Sequence, residues 1–186
     1  MRKIDFNDDF TGFEDKEDIL VDTGILLALL NEYDTWNSTV KNLFDNHVFN
    51  NDNVLFLYIN PCIQNELTNL ISNGKPIEWY KKQHPNFKIT QEEMDEIEKK
   101  SIEAIKFLIE NEILLILDSN KESAVQQLKL YKELGAADAV NVSIVNEYGI
   151  SLLTVDNRLI NNIEKNIDKL ENIHNLYYTT PAYKTY

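Results

Sequence analysis

Cysteine, histidine and long apolar runs are scarce in this sequence. Cys62 is the single cysteine among 186 residues, so an internal disulfide is excluded and a cytoplasmic setting is expected. The three histidines have no spacing typical of a zinc site. The longest apolar run, from Ile25 to Leu30, is too short to cross a bilayer. The first residues are too acidic for a signal peptide, so we expect no targeting segment.

Basic residues are also in the minority. The chain has 18 lysines and arginines against 31 aspartates and glutamates, a formal net charge of -13. This balance argues against a protein that coats nucleic acid by bulk electrostatics. It does not exclude an enzyme that contacts phosphate groups through bound cations, because a metal ion reverses the sign of the local electrostatic potential. A P-loop lysine motif and a glycine fingerprint are both absent, which argues against nucleotide binding of those kinds.

Short apolar segments alternate with helical patterns along the chain. The length predicts one domain, and the alternation predicts an α/β fold, a three-layer α/β/α sandwich around a mostly parallel five-stranded sheet. If the fourth strand returns beside the first, the strand order is 3-2-1-4-5. Val54 to Ile59 is almost wholly apolar, so we expect it to be buried on both faces, and the last strand is expected at an edge. The five predicted strands are Ile19 to Val21, Val54 to Ile59, Ile113 to Leu117, Ile150 to Leu153 and His174 to Tyr178.

The predicted domain spans residues 18–186, and residues 1–17 are predicted to be an acidic N-terminal extension without a sustained period. A helical insert is expected at about residues 75–111, and its first part is basic and aromatic. That part either stacks bases and meets phosphates or is a surface connection or dimer contact. The side chains concerned are Trp79, Tyr80, Lys81, Lys82, His84, Phe87 and Lys88.

Four acids are predicted to meet at one edge of the sheet. Asp22 ends the first strand and Asp156 follows the fourth, so the two would face each other across the crevice where the strand order reverses. Asp138 lies near the start of the helix before the fourth strand, where the helix dipole favours a negative charge. Glu66 lies on the packing side of the helix that Pro61 opens.

Clustered carboxylates repel one another, and a divalent cation removes that conflict. Oxygen ligands with few histidines indicate Mg²⁺ or Mn²⁺, and such a site suits hydrolysis of a phosphodiester. Asp22, Asp138 and Asp156 would hold the metal, while Glu66 would act through a water or orient the nucleophile. Taken one at a time, Asp22 also fits a turn residue, Asp138 a charge at a helix start and Glu66 the partner of a lysine. Because separate segments supply them, their joint placement favours a site.

At these residues the sequence resembles the PIN-domain nucleases. The segments ILVDTGILLALL, PCIQNEL, LGAADAV and GISLLTVDNRL resemble that family in order and spacing, over roughly residues 18 to 178. The resemblance implies a Mg²⁺- or Mn²⁺-dependent ribonuclease whose acidic quartet is Asp22, Glu66, Asp138 and Asp156. It also implies that Thr154 supports the site by hydrogen bonding. Bacterial members are commonly toxins of VapBC-like pairs, often dimers held by an antitoxin, which implies RNA as substrate and an antitoxin as partner.

The acidic N-terminus and the long insert between Gly74 and Asn111 depart from the compact toxin pattern. Asn157 stands where some PIN-domain nucleases have another acid, so the number of metal ions, one or two, is left open. An alternative is a non-catalytic RNA- or protein-binding module on the same fold. A third reading is a phosphatase or phosphoacceptor domain, against which Asp22 is followed by Thr-Gly rather than by a second acid.

Overall fold

Six short strands lie side by side in one sheet, and every hydrogen-bonded pair among them is parallel. The computed structural model describes residues 1–7, 10–50 and 52–179. The strands are β1 (Arg2–Asp5), β2 (Glu17–Val21), β3 (Leu55–Ile59), β4 (Leu114–Ile116), β5 (Ser151–Leu153) and β6 (Asn175–Tyr178).

Eight α-helices connect the strands within the described residues. They are α1 (Thr23–Leu30), α2 (Asn37–Phe44), α3 (Pro61–Ser72), α4 (Lys75–Gln83), α5 (Gln91–Glu110), α6 (Lys121–Leu134), α7 (Ala136–Tyr148) and α8 (Asn157–Lys165). A π-helical turn follows α2 and a 3-10 turn follows α8, at Asp45–Phe49 and Ile167–Lys169. None of the described helices has the length and apolar character that a bilayer crossing needs.

The strand order is β1-β6-β5-β2-β3-β4, so β2 lies in the interior of the sheet between β5 and β3. An α/β fold with a parallel sheet is thereby confirmed. The predicted count of five and the predicted order 3-2-1-4-5 both differ from the observed sheet, because β1 joins as a sixth strand beside β6. Successive strands are added on one side of β2 up to β4 and on its other side from β5 onward, so the strand order reverses between β2 and β5. A ligand site is expected at such a point in an open parallel sheet.

Local sequence explains where several helices begin and end. Asn60 accepts a hydrogen bond from the backbone of Ile63 and so caps α3 ahead of Pro61. Thr90 and Glu93 form the capping box that starts α5. Gly149 ends α7 in the left-handed conformation with φ of 66°, which only glycine adopts without strain. The chain thus enters β5 immediately after α7.

The N-terminal residues are part of the fold, which corrects the prediction of an extension over residues 1–17. Arg2–Asp5 pairs with Asn175–Tyr178 along its whole length, and Phe6 and Phe13 are buried. The rings of Phe13 and Tyr177 meet edge to face with centroids 4.8 Å apart. The segment is held to the domain because the aromatic side chains of Phe6 and Phe13 enter the core. The same pairing corrects the edge position predicted for β6.

Strand β3 is only half-buried, which corrects the expectation that both its faces are covered. Leu57 and Ile59 lie in the core, whereas Phe56 is 38% exposed. Successive side chains of a strand point to opposite faces, so the face of Phe56 is incompletely covered by helices. Residues 75–111, predicted to form a helical insert, contain α4 and α5. The part of the predicted domain after Thr179 lies outside the described residues.

Candidate functional site: four acids at the carboxyl edge of the sheet

Asp22 is the most buried acid of the predicted quartet. It follows β2, stands at the N-cap of α1 in extended conformation, and is 7% exposed. Its backbone N–H donates to the carbonyl of Leu153 at 3.0 Å, which joins the ends of β2 and β5. Burial raises the pKa of the Asp22 carboxyl to about 7, the hydrogen bond from Thr154 opposes this shift, and the Asp138 and Glu66 carboxylates add to it.

Thr154 connects Asp22 to Asp156. Its hydroxyl is fully buried and donates to Oδ2 of Asp22 at 2.7 Å. The backbone N–H of Asp156 donates in turn to the Thr154 hydroxyl at 3.0 Å. One buried hydroxyl therefore fixes two of the four acids relative to each other.

Asp156 is also a helix cap. Its Oδ1 accepts hydrogen bonds from the backbone N–H groups of Arg158 at 2.7 Å and Leu159 at 3.1 Å, which starts α8. One of the two carboxylate oxygens of Asp156 therefore already has structural hydrogen-bond partners. The cap also fixes the direction of the side chain.

Glu66 is half-buried on α3 and is held by a residue that sequence reasoning missed. The hydroxyl of Thr23, a buried residue at the start of α1, donates to Oε2 of Glu66 at 2.7 Å. This bond crosses from α1 to α3 and fixes Glu66 beside Asp22. The signal in the sequence was the hydroxyl directly after Asp22, which a strand-to-helix turn delivers to the same edge.

Asp138 lies in the first turn of α7 and is half-buried. Burial raises the pKa of its carboxyl, and the Asp156 and Glu66 carboxylates act in the same direction. The Arg158 guanidinium opposes these effects from 3.9 Å, measured from Nη2 to Oδ2 of Asp138. Because the arginine side chain is 78% exposed, it only weakly offsets the negative charge.

The structure thus brings the four predicted acids to one edge. Asp22 interacts electrostatically with Asp138 and Glu66, and Asp138 also interacts with Asp156. Within the described residues, no three acid, histidine or cysteine side chains stand close enough to form a ready-made metal cluster. The four acids offer oxygen donors, the type that Mg²⁺ and Mn²⁺ prefer, so the chemistry of the side chains, though not a preformed cluster, is compatible with such an ion.

Cys62 lies next to this edge, on the first turn of α3. It is half-buried, and burial raises the pKa of its thiol, with the Glu66 and Asp138 carboxylates adding to the effect. A raised pKa keeps the thiol protonated and weakly nucleophilic. Cys62 is therefore a neighbour of the acids whose thiolate form is disfavoured by its surroundings.

A second buried acid, Glu17, lies at the opposite end of β2 and was not singled out by the sequence. It accepts hydrogen bonds from the hydroxyls of Ser151 and Tyr177 and from the amide of Asn175. These bonds join β2, β5 and β6 at their amino ends. Because side chains and the Glu14 backbone N–H satisfy Glu17, it is a structural group.

The aromatic part of the insert packs largely on itself. The ring of Tyr80 lies 5.0 Å from that of Tyr33, 4.9 Å from Phe87 and 4.2 Å from His84, between centroids. Trp79 stays 41% exposed.

Comparison with known proteins gives structural neighbours and no family. No family model matches the chain, and no curated protein matches it. The crystal structure of FitAcB from Neisseria gonorrhoeae has a TM-score of 0.53 at 13% identity, covering 89% of this chain and 99% of that chain. VapBC2 from Rickettsia felis, bound to a DNA fragment from its promoter, has a TM-score of 0.51 at 15% identity, covering 88% and 99%. FitAB bound to the IR36 DNA fragment has a TM-score of 0.50 at 11% identity, covering 87% and 94%.

These findings correct the family assignment made from the sequence. No family model matches the chain, so its assignment to the PIN-domain nucleases is wrong as a family assignment. The neighbours are FitAB and VapBC complexes, and at 11–15% identity they share the fold alone. Any proposal of an activity or of metal binding therefore has to be argued from the site residues alone.

Proposed function

We propose that the chain is a metal-dependent phosphodiester hydrolase that cleaves RNA internally at the edge carrying Asp22, Glu66, Asp138 and Asp156. The observation that supports it most strongly is Asp22, a buried carboxyl that faces two other carboxylates. Negative charge is concentrated there, and the nearby cation at Asp138 is the exposed Arg158. A buried charged carboxylate beside other carboxylates is costly in free energy unless a cation neutralises it.

The four acids divide into two roles in the proposal. Asp22, Asp138 and Asp156 would hold Mg²⁺ or Mn²⁺, which when bound supplies charge neutralisation at a phosphate and an acidified water. Thr154 holds Asp22 and Asp156 in place through its hydroxyl. Glu66, positioned by Thr23, would orient the attacking water. A three-layer α/β/α arrangement would leave this edge open to a polynucleotide.

We further propose that the chain is one component of a toxin–antitoxin pair, its partner being a small antitoxin. The neighbours that share its fold are toxin–antitoxin complexes, which supports this reading. The net charge of -13 favours a partner with a basic contact surface. Copurification with the product of an adjacent small gene tests the pairing.

A non-catalytic binding module is the rival, and two observations favour it. The described residues contain no ready-made cluster of three metal-binding side chains, and Asp156 already caps α8. In such a module the acids would serve only to make hydrogen bonds that stabilise the fold. It would bind Mn²⁺ weakly or not at all.

Incubation of a mixed RNA pool with Mg²⁺ or Mn²⁺ tests the proposal, with single-stranded DNA beside it and EDTA as a control. Wild type is compared with Asp22→Asn and with Asp168→Asn, which changes an exposed acid in the turn after α8. We expect metal-dependent RNA cuts that Asp22→Asn abolishes and Asp168→Asn retains. No cleavage together with no Mn²⁺ binding in calorimetry would support the binding module.

A further inference from the structure

A small cavity lies between the turn after α1 and one face of α4, and aromatic side chains form much of its wall. Its volume is about 270 Å³. Cavities that hold drug-sized ligands measure about 300–1,000 Å³, so this one suits a smaller molecule or a single head group. Asp22 stands at the start of α1 and the cavity follows its end, which separates the cavity from the acidic edge. The lining residues of this aromatic cavity are Tyr33, Asp34, Thr35, Trp36, Pro76, Trp79, Tyr80 and Gln83.

Both segments of the wall are fixed by the fold. In the turn, the side chains of Asn31 and Asp34 accept hydrogen bonds from the backbone N–H groups of Tyr33 and Trp36, at 3.2 and 2.8 Å. The rings of Tyr33 and Tyr80 then join the turn to α4, with centroids 5.0 Å apart. The α4 members of the wall are spaced by three, four and seven residues and so share one helix face: Pro76, Trp79, Tyr80 and Gln83. Much of the wall is therefore preformed, which lowers the free-energy cost of binding.

The two tryptophans of the chain, Trp36 and Trp79, both line this cavity. Trp79 is 41% exposed, and Trp36 is half-buried against the core. In the part of the chain that the structure describes, neither indole contacts another aromatic ring or a cation. Indole is the aromatic side chain that attracts cations most strongly. The wall therefore offers indole surface that the fold itself leaves without a ring or cation partner.

Asp34 is the charged side chain of the wall. Its Oδ2 has no hydrogen-bond or ion-pair partner in the described part of the chain, yet it is not sealed from solvent. Burial raises the pKa of this carboxyl, and the backbone N–H of Trp36 opposes the rise. The three lysines of α4 are outside the wall, and two of them, Lys75 and Lys82, pair with Glu78. An uncompensated carboxylate among aromatic side chains favours a cation and disfavours a phosphate.

We propose that the aromatic cavity binds a quaternary alkylammonium group. The positive charge of such a group is spread over its methyl groups, which pack against aromatic rings while the charge is attracted to them. The carboxylate of Asp34 supplies the opposite charge in the same wall. A primary ammonium group fits less well, because it is compact and strongly hydrated and would lose that hydration among the rings. The assignment is independent of the activity proposed for the acidic edge.

Intrinsic fluorescence of the full chain tests this site directly, because both tryptophans are in the wall. Choline is titrated at constant ionic strength beside neohexanol, its neutral carbon isostere. We expect a saturable change with choline and about tenfold weaker binding of neohexanol, since choline alone carries the charge. An equal affinity for the two compounds, or no saturable change with choline, would overturn the proposal.

Further ligands decide what the cavity takes. Trimethyllysine amide is compared with choline, because a methylated side chain of a partner and a free small cation carry the same group. Saturable binding of either supports the site, and the tighter of the two identifies the source. Unmethylated lysine amide should bind about tenfold more weakly than the trimethylated compound. Tighter binding of adenosine monophosphate than of choline would make the cavity a base-stacking site and contradict the assignment.

Variants locate the binding on the protein. Trp79→Ala should weaken choline binding about tenfold, and Trp79→Phe, which keeps a ring, should retain part of it. Asp34→Asn keeps the acceptor for the Trp36 N–H but removes the charge, so choline binding should fall about three- to tenfold while neohexanol binding stays the same. Tyr131→Ala removes an exposed ring of α6, outside the cavity, and should bind choline like wild type. Circular dichroism verifies folding, and unchanged choline binding in Trp79→Ala or in Asp34→Asn would refute the site.

Discussion

The hydroxyl of Thr154 donates to Oδ2 of Asp22 at 2.7 Å, and both side chains are buried. This bond stabilises the charged form of Asp22 against the desolvation that raises its pKa. The hydroxyl also accepts from the backbone of Asp156. Thr154 therefore couples the charge of one acid to the position of another.

Replacement of Thr154 by valine should weaken Mn²⁺ binding about 10–100-fold, the range typical of lost partners of metal ligands. The pKa of Asp22 rises further without the hydroxyl, so the pH of half-maximal Mn²⁺ binding should move upward. Calorimetry across pH 6–9 measures both effects. Thr154→Ser keeps the hydroxyl and should stay near wild type. Equal midpoints in the valine variant and wild type would contradict the coupling.

The raised pKa of Asp22 predicts how the metal-free protein depends on pH. A carboxyl with a pKa of 3.8 unfolded and about 7 folded holds its proton more tightly in the folded state. Its stabilising contribution is full below pH 3.8 and declines as the pH rises towards about 7. Asp22→Asn removes this decline, so in EDTA the variant should gain in melting temperature over wild type as the pH rises from 4 to 8.

Melting curves with EDTA and with Mn²⁺ check this expectation. Mn²⁺ should raise the melting temperature of wild type at pH 8 and leave that of Asp22→Asn unchanged, because only the charged carboxylate binds the metal. Asp168→Asn, at an exposed acid, serves as the matched control and should follow wild type throughout. Parallel curves for wild type and Asp22→Asn across the whole range would show that Asp22 is ionised normally.

Thr23 is predicted to act as a positioning residue for Glu66. Thr23→Val removes the 2.7 Å hydrogen bond to Oε2 and should lower metal-dependent cleavage about 10–100-fold. The loss should fall on kcat, because Glu66 would orient the water rather than bind the RNA. Thr23→Ser should restore the rate. A valine variant that loses stability and activity in proportion, without rescue by serine, would indicate a packing role.

The N-terminal segment is expected to stabilise the domain. Phe13 is 3% exposed and contacts the rings of Phe10 and Tyr177, so Phe13→Ala should lower the free energy of unfolding by about 3–5 kcal/mol. Phe107→Ala removes the same side chain from a position that is 57% exposed and should change stability by about 0.5 kcal/mol or less. Urea denaturation compares the two. Equal effects would mean that residues 1–17 contribute no core.

Local patterns in the sequence were sufficient for the elements that define the acidic edge. Apolar runs predicted β2 and β5, Pro61 and Gly149 marked helix ends, and the strand alternation placed Asp22 and Asp156 at one edge. These features depend on neighbours within a few residues or on general rules of parallel sheets, so they are readable without coordinates. The acids were predicted as a set for the same reason.

Contacts between distant segments were decided by the tertiary structure alone. The pairing of Arg2–Asp5 with β6 joins the two ends of the described chain, and an acidic N-terminus gave no periodic signal for it. The bond from Thr23 to Glu66, the network around Glu17 and the aromatic cavity beside Asp34 depend on which side chains meet after folding. Hydrogen bonds between side chains far apart in sequence require distances and angles, and a linear pattern of residue types contains neither.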